Sequence, residues 1–251
     1  MKVLVVTPTY GRLPFLGRML ASFLSQTYEN KELVIINDDK NVQIACDYPN
    51  VICINVDKKM LIGQKKNLAT NFGYHDLYIP FDDDDIILPN KIQNHVNKHL
   101  EFPDIDLYRN LVSYSIYGSD FLIAGSTINA VSYTRKGWFK CNGYQHPINC
   151  GEDQSFENSI VNRKWLEDYK NIDYVYNFGG INYHLSSTSD DTIEQIAYNQ
   201  LKEMNMIGNK FVIKPDFEEY DKFVELDRMY KQNKETIKVK HTGLAKLEII
   251  K

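Results

Sequence analysis

Leu77-Tyr78-Ile79-Pro80-Phe81-Asp82-Asp83-Asp84-Asp85 decides the reading of this chain. An apolar run of strand length meets four like charges with no spacer between them. Carboxylates packed side by side repel one another, and burying one unpaired is costly. An arbitrary acidic run is more often a solvated turn. This one closes a strand-like segment, and that is where open α/β sheets gather their ligands. A divalent cation with oxygen ligands, Mn2+ or Mg2+, removes both the repulsion and the burial cost.

The segments on either side support such a sheet. Val3–Val6 is a continuous apolar run that ends in Thr7-Pro8-Thr9-Tyr10-Gly11, as a central parallel strand feeding a turn does. Pro14 opens a helix whose apolar face carries Phe15, Leu16, Met19, Leu20, Phe23 and Leu24. Leu33–Ile36 and Val51–Val56 read as strands, Gln64–Tyr74 as a helix, and Pro89 as the start of another. This alternation predicts an α/β fold with crossover helices.

The second half is less regular. Leu107–Tyr117, Ala130–Thr134, Tyr174–Asn177 and Ile181–Leu185 read as strands, and Asp153–Trp165, Thr192–Met204 and Phe217–Tyr230 as helices. Thr236–Lys251 is polar and then weakly strand-like. The expected boundary lies near Lys214-Pro215, separating a domain of residues 1–214 from a C-terminal helical extension or tail of residues 215–251.

The 251 residues are 43% hydrophobic and 25% charged, which suits a globular chain with a sizeable core. A net charge of −4 gives no global basic field for nucleic acid. Cys46, Cys53, Cys141 and Cys150 form no Cys-x-x-Cys pair and read as reduced thiols. No stretch approaches the roughly 20 apolar residues of a membrane span. The expectation is a cytoplasmic protein without a membrane span.

Three acidic stations follow strand-like segments: Asp38-Asp39, Asp82–Asp85 and Glu152-Asp153. Strand ends share one edge in a doubly wound sheet, so the first two can meet in one crevice. Lys65 and Lys66 lie between them on a helix that follows Gly63, a location suited to phosphate. Carboxylates for a cation, a carboxylate for a base or ribose and a lysine for diphosphate make a nucleotide site.

With these motifs in order, the chain resembles the family 2 glycosyltransferases, which have the GT-A fold. Val5–Arg12 looks like the family's opening strand and Pro-Thr-Tyr-Asn-Arg turn, and Ser22–Tyr28 like its Ser-x-Leu-x-Gln-Thr-Tyr helix end. Glu32–Asp39 looks like its second strand and Val-Asp-Asp, and Gly63-Gln64-Lys65-Lys66-Asn67 is similar to its Gly-…-Ala-Arg-Asn segment. Phe81–Pro89 is similar to its Asp-x-Asp-Asp-x-x-x-Pro block, the DXD motif, and Glu152-Asp153 falls where the family has Glu-Asp before a helix. The six blocks stand in register over roughly residues 1–200. Gly11 replaces the usual Asn, Lys40 the usual Gly, and Lys66 the usual Arg, which keeps charge and loses bidentate geometry.

The resemblance implies a Rossmann-like mixed central sheet flanked by helices and a metal-dependent sugar transfer from a nucleotide-diphosphate sugar such as a UDP-sugar. Asp39 then contacts the base, beside Pro8 and Thr9, with Tyr10, Arg12, Lys66 and Asp83 completing the donor site. Asp84, Asp82 and His184 are the implied metal ligands, and Asp153 the general base of an inverting transfer. Plainer roles stand beside these. Asp39 suits a helix cap or turn, Asp85 a cap for the helix after Pro89, Asp153 a cap for its own helix, and a lone His is more often structural. Trp138, Tyr144 and His146 precede the third station, on the family's acceptor side, though single aromatics are usually core.

The implied acceptor is a glycan, lipid-linked sugar or protein. An alternative is a hydroxymethylated base in DNA, as for phage enzymes of similar size, with the lysines of 231–240, Lys246 and Lys251 on phosphates. A non-catalytic nucleotide-sugar-binding module is the third reading, and the presence of Asp153 speaks for an enzyme.

Overall fold

Val3–Thr9 forms β1, buried along its whole length. Its side chains alternate between two cores, Val3 and Val5 in one and Leu4 and Val6 in the other. Full burial of such a side chain contributes about 1.5–3 kcal/mol, so a strand buried on both faces anchors the sheet. The computed structural model describes residues 1–125, 130–145, 147, 151–177, 190–234, 236–241 and 247–250.

Along the chain follow α1 (Leu13–Leu24), β2 (Lys31–Asn37), β3 (Gln43–Ala45), β4 (Val51–Asn55), α2 (Ile62–Thr70), β5 (Leu77–Pro80), β6 (Ile86–Ile87) and α3 (Lys91–Glu101). Next come β7 (Leu107–Asn110), β8 (Val112–Tyr117), β9 (Asp120–Gly125), β10 (Val131–Thr134), α4 (Arg135–Lys140), α5 (Glu152–Ser159), β11 (Arg163–Leu166) and β12 (Tyr174–Asn177). The chain finishes with α6 (Asp190–Glu203), β13 (Lys210–Val212), α7 (Phe217–Asn233), β14 (Ile237–His241) and β15 (Leu247–Ile250).

Among the described residues, seven strands form a mixed sheet in the order β11-β7-β10-β5-β1-β2-β4. The run β5-β1-β2-β4 is parallel, and β10 joins β5 antiparallel. One face packs on Leu16, Met19, Leu20 and Phe23 of α1 and Ile92 and Val96 of α3. The other packs on Ala69 of α2, Trp138, Tyr144 and Phe156. This is the expected α/β architecture of a central sheet flanked by helices.

A second sheet, β15-β14-β9-β8-β12-β6, holds its own core against α7 through Tyr220, Phe223 and Leu226. β14 pairs antiparallel with β9 and β15, so the polar C-terminal stretch adds two strands after the expected helix.

Several sequence expectations need correction. Leu107–Tyr117 is two strands in two sheets rather than one. Asn110 makes the corner: its amide donates to the carbonyls of Asp168 and Asn171, and its oxygen accepts from the Val112 and Asp168 N–H groups. The helix expected over Asp153–Trp165 stops at Ser159, and Arg163–Leu166 turns into an edge strand alongside β7. The strand expected at Ile181–Leu185 lies outside the described residues. Among the described residues, no helix is long and apolar enough to cross a membrane.

Candidate active site

β5, β1 and β2 are parallel neighbours, so their C-terminal ends share one edge. That edge presents the turn Thr9–Arg12, the turn Asn37–Asp39 and the acidic run Asp82–Asp85. Two of the three acidic stations therefore meet as the sequence predicts, and α5 brings the third.

Asn37, fully buried, organises the β2 end. Its side-chain oxygen accepts from the Gly11 and Asp39 N–H groups at 3.3 Å each, and its NH2 donates to the Val42 carbonyl at 2.9 Å and to Asn55 Oδ1 at 3.1 Å. Asp38 accepts from the Met60 N–H at 2.6 Å and from Lys65 Nζ at 2.7 Å. Lys65 also donates to the Thr9 carbonyl at 3.0 Å, tying β1 to α2. Tyr10 is flanked by Lys59 and Lys65, each ammonium about one ring width from its centroid (5.4 and 6.0 Å).

Asp39 is buried with only half of its carboxylate engaged. Oδ1 accepts from the Asn41 backbone and side chain at 2.8 Å, a turn-capping role. Oδ2 has no hydrogen-bond partner among the described residues. Burial raises its pKa. An acceptor held dry and half-used is suited to a ligand N–H.

Gly11 faces that free oxygen. Its φ is +60°, and a Cβ there would lie 2.2 Å from Asp39 Oδ2. Gly11→Ala is therefore expected to destabilise the fold by about 1–2 kcal/mol from the left-handed backbone alone, with a further loss from the clash. Urea unfolding measures this. Adding Asp39→Ala to Gly11→Ala should recover the clash component, and a double variant no more stable than the single one would contradict the contact.

The acidic run is held by cations and hydroxyls. Asp83 accepts from Thr9 Oγ1 at 2.7 Å and pairs with Arg12 at 2.9 Å. Arg12 also pairs with Asp84 at 2.9 Å. Burial pushes Asp83 up to about 6 against the pull of Arg12. Asp85 does not cap the helix that follows: its carboxylate takes the Tyr174 hydroxyl, and α3 begins at Lys91 without a side-chain cap.

Lys66 sits at the meeting point of the second and third stations. Its ammonium has no exposure and lies 2.5 Å from Asp153, 3.1 Å from Glu152 and 3.9 Å from Asp82. The lysine expected to face diphosphate is thus turned to carboxylates. Gly151, in the left-handed conformation, precedes α5, so Glu152 and Asp153 occupy its first turn and Asp153 is not its cap. Acidic side chains are favourable there. Burial pushes Asp153 up to about 6, with Lys66 opposing, and raises Asp82 as well. The proximity of three carboxylates raises Lys66 well above its ordinary value, against the lowering effect of burial.

Trp138 and Tyr144 belong to the core behind this cluster. Tyr144 stacks on Phe156 with centroids 4.1 Å apart, and Trp138 donates to Asn67 at 3.2 Å. Asn67 in turn clamps the Tyr144 backbone at 2.8 Å. Gly143, at φ +70°, leaves room for this clamp, since a Cβ would sit 2.4 Å from Asn67 Oδ1.

Among the described residues, Asp82, Asp83, Asp84, Glu152 and Asp153 lie against Arg12 and Lys66. These negative oxygen ligands are of the kind a hard divalent cation takes. Among the described residues no three His, Cys, Asp or Glu side chains are grouped to hold a metal by themselves. Magnesium at phosphate sites takes only one or two carboxylates and completes its shell with phosphate and water, so the donor set remains compatible. His184 and His146 lie outside the described residues.

Arg18 and Tyr174 take part in the site and are not among the sequence candidates, while Lys65, grouped there with Lys66 as suited to phosphate, bonds Asp38 and the Thr9 carbonyl. Lys65 is the neighbour of Lys66, and one residue step on a helix turns a side chain by about 100°. Arg18 left a signal: it is a charge among the buried positions Phe15, Leu16 and Met19 of an amphipathic helix.

Residues 4–168 match the family described as Glycosyl transferase family 2. An uncharacterized glycosyltransferase of Rickettsia typhi is 28% identical over 111 residues, covering 42% of this chain and 35% of its own length. YwdF of Bacillus subtilis, also an uncharacterized glycosyltransferase, is 31% identical over 108 residues, covering 41% and 40%. The chain thus spans well under half the length of these relatives. In structure it is similar to S. aureus TarS in complex with UDP-GlcNAc, with TM-score 0.59 and 16% identity over 80% of this chain and 67% of that one. It is also similar to the mannosyltransferase PcManGT of Pyrobaculum calidifontis in complex with GDP-Man and Mn2+, with TM-score 0.54 and 13% identity over 79% and 68%. At these identities the structural likeness speaks for the fold.

Proposed function

The chain belongs to glycosyltransferase family 2 and has the GT-A fold, and on that premise we propose that it transfers a sugar from a nucleotide-diphosphate sugar, with UDP as the carrier, to an acceptor hydroxyl. The observation that supports this most is the cluster in which Lys66 joins Asp153 to Asp82 at the edge that also carries Asp39. A donor needs that combination: an acceptor for the base at one end and carboxylates at the other.

In this reading Asp39 Oδ2 accepts from the N–H of the uracil ring, with Pro8, Thr9 and Tyr10 beside it. Asp83 and Arg12 lie along the ribose and diphosphate. Asp84 and Asp82 hold Mn2+ or Mg2+, with His184 as the further ligand. Bound there, the ion neutralises charge on the departing diphosphate. Asp153 takes the acceptor hydroxyl's proton as its oxygen bonds to the anomeric carbon and the bond to diphosphate breaks, which inverts that carbon. Lys66 keeps Asp153 ionised for this step. A module that only bound nucleotide would have no use for such a paired carboxylate.

A glycan, lipid-linked sugar or protein suits the acceptor role better than DNA. Lys231 and Lys238, lysines expected on phosphates, are already paired with Asp227 and Asp120.

The test is a panel of nucleotide sugars with and without manganese. UDP-sugars with manganese should raise the melting temperature and release UDP, since a ligand present at about 100 times its Kd stabilises by about 2.7 kcal/mol. A folded chain that shows neither shift nor UDP release across the panel overturns the reading.

A further inference from the structure

Residues 217–233 have no part in the chemistry above, yet α7 bears on the C-terminal half of the acidic run, directly just past it and through Arg18 at Asp84. Tyr220 of α7 donates its hydroxyl to the Ile87 carbonyl at 3.0 Å, just past the run. Phe223 of α7 lies 5.3 Å from the Arg18 guanidinium, and Phe15 stacks from another side at 5.6 Å. Arg18 is 2% exposed and donates to the Asp84 carbonyl at 2.7 Å. Glu219, also on α7, contributes opposing charge to the buried guanidinium. A buried arginine held between two rings has little freedom, so the peptide it bonds is fixed as well.

We infer that α7 is a positioning element of the donor site: through Arg18 and Tyr220 it fixes the Asp84 and Ile87 carbonyls, the backbone on either side of Asp85, and so sets the direction of the Asp84 carboxylate. Arg18 and Tyr220 are positioning residues, because they act on backbone and touch no substrate. This rests on the assignment of Asp84 to a divalent ion shared with the nucleotide. It gives the C-terminal segment a purpose beyond packing, since the segment then decides how well the ion is held.

The experiment is calorimetric titration of UDP into the full chain, with and without manganese, for the unaltered protein, Arg18→Lys and Tyr220→Phe. Arg18→Lys keeps the charge and loses the planar fork; it should lose about tenfold of the manganese-dependent affinity, the scale of one charge-assisted hydrogen bond. Its manganese-free UDP affinity should stay within about twofold. A purely structural lesion lowers both together. Tyr220→Phe removes one hydroxyl and should show the same selective loss at about threefold; if Arg18→Lys does not fold, this variant decides. Equal losses with and without manganese, or no loss in either variant, overturn the inference and leave the proposed function standing. An unaltered chain that binds no UDP even with manganese removes both.

Discussion

Asp153→Asn should lower the transfer rate by roughly 10²–10⁴-fold, the range of a positioned general base, while UDP still binds. Asparagine keeps the shape and cannot accept a proton. The pairing partner is not stranded, because Lys66 retains Glu152 at 3.1 Å, so the chain should fold. The pH profile adds a second check. Burial raises Asp153 from 3.8 to about 6, and a base works only when deprotonated. The kcat/KM of the unaltered enzyme should therefore climb with pH to a plateau above about 6, and the variant's residual rate should lack this limb. Stability runs the other way. The native state binds more protons than the unfolded chain between pH 3.8 and about 6, so this group's contribution to stability falls as pH rises through that window. Unchanged turnover in Asp153→Asn would falsify its role as the base.

Lys66→Met should cost about 3–5 kcal/mol of folding stability, as expected when one partner of a buried ionic cluster is removed. Asp153 and Glu152 then face each other, with Asp82 nearby, without the ammonium that joins them. For a chain of this size the loss corresponds to a fall in melting temperature of roughly 6–20 °C. The sign with pH is fixed. The missing cation hurts most where the carboxylates are ionised, so the deficit should be larger at pH 8 than at pH 5. Melting curves at the two pH values measure it. A variant as stable as the parent, or one worse at pH 5, would mean that the cluster is not held together by this charge.

Much of this arrangement was legible in the residues, and particular positions show why. Val3–Val6, Leu33–Ile36 and Leu77–Phe81 are continuous apolar runs because central parallel strands are buried on both faces. The carboxylates that follow the second and third of these runs therefore share one edge. What stayed hidden depends on distant partners. The break at Asn110 is enforced by carbonyls at Asp168 and Asn171, dozens of residues on. Arg163–Leu166 carries no strand pattern and is extended because β7 lies beside it. The direction of Lys66 followed the same rule: a phosphate-ready lysine and a carboxylate-bound lysine look alike until the third acidic station is placed.

Asn37 has a consequence for the speed and heat of ligand capture. One amide stitches the turns after β1 and β2 to the end of β4. The cleft floor is thereby cast during folding, and an arriving nucleotide has little backbone left to organise. Association should proceed without a slow conformational phase, and its heat-capacity change should reflect only the surfaces that meet.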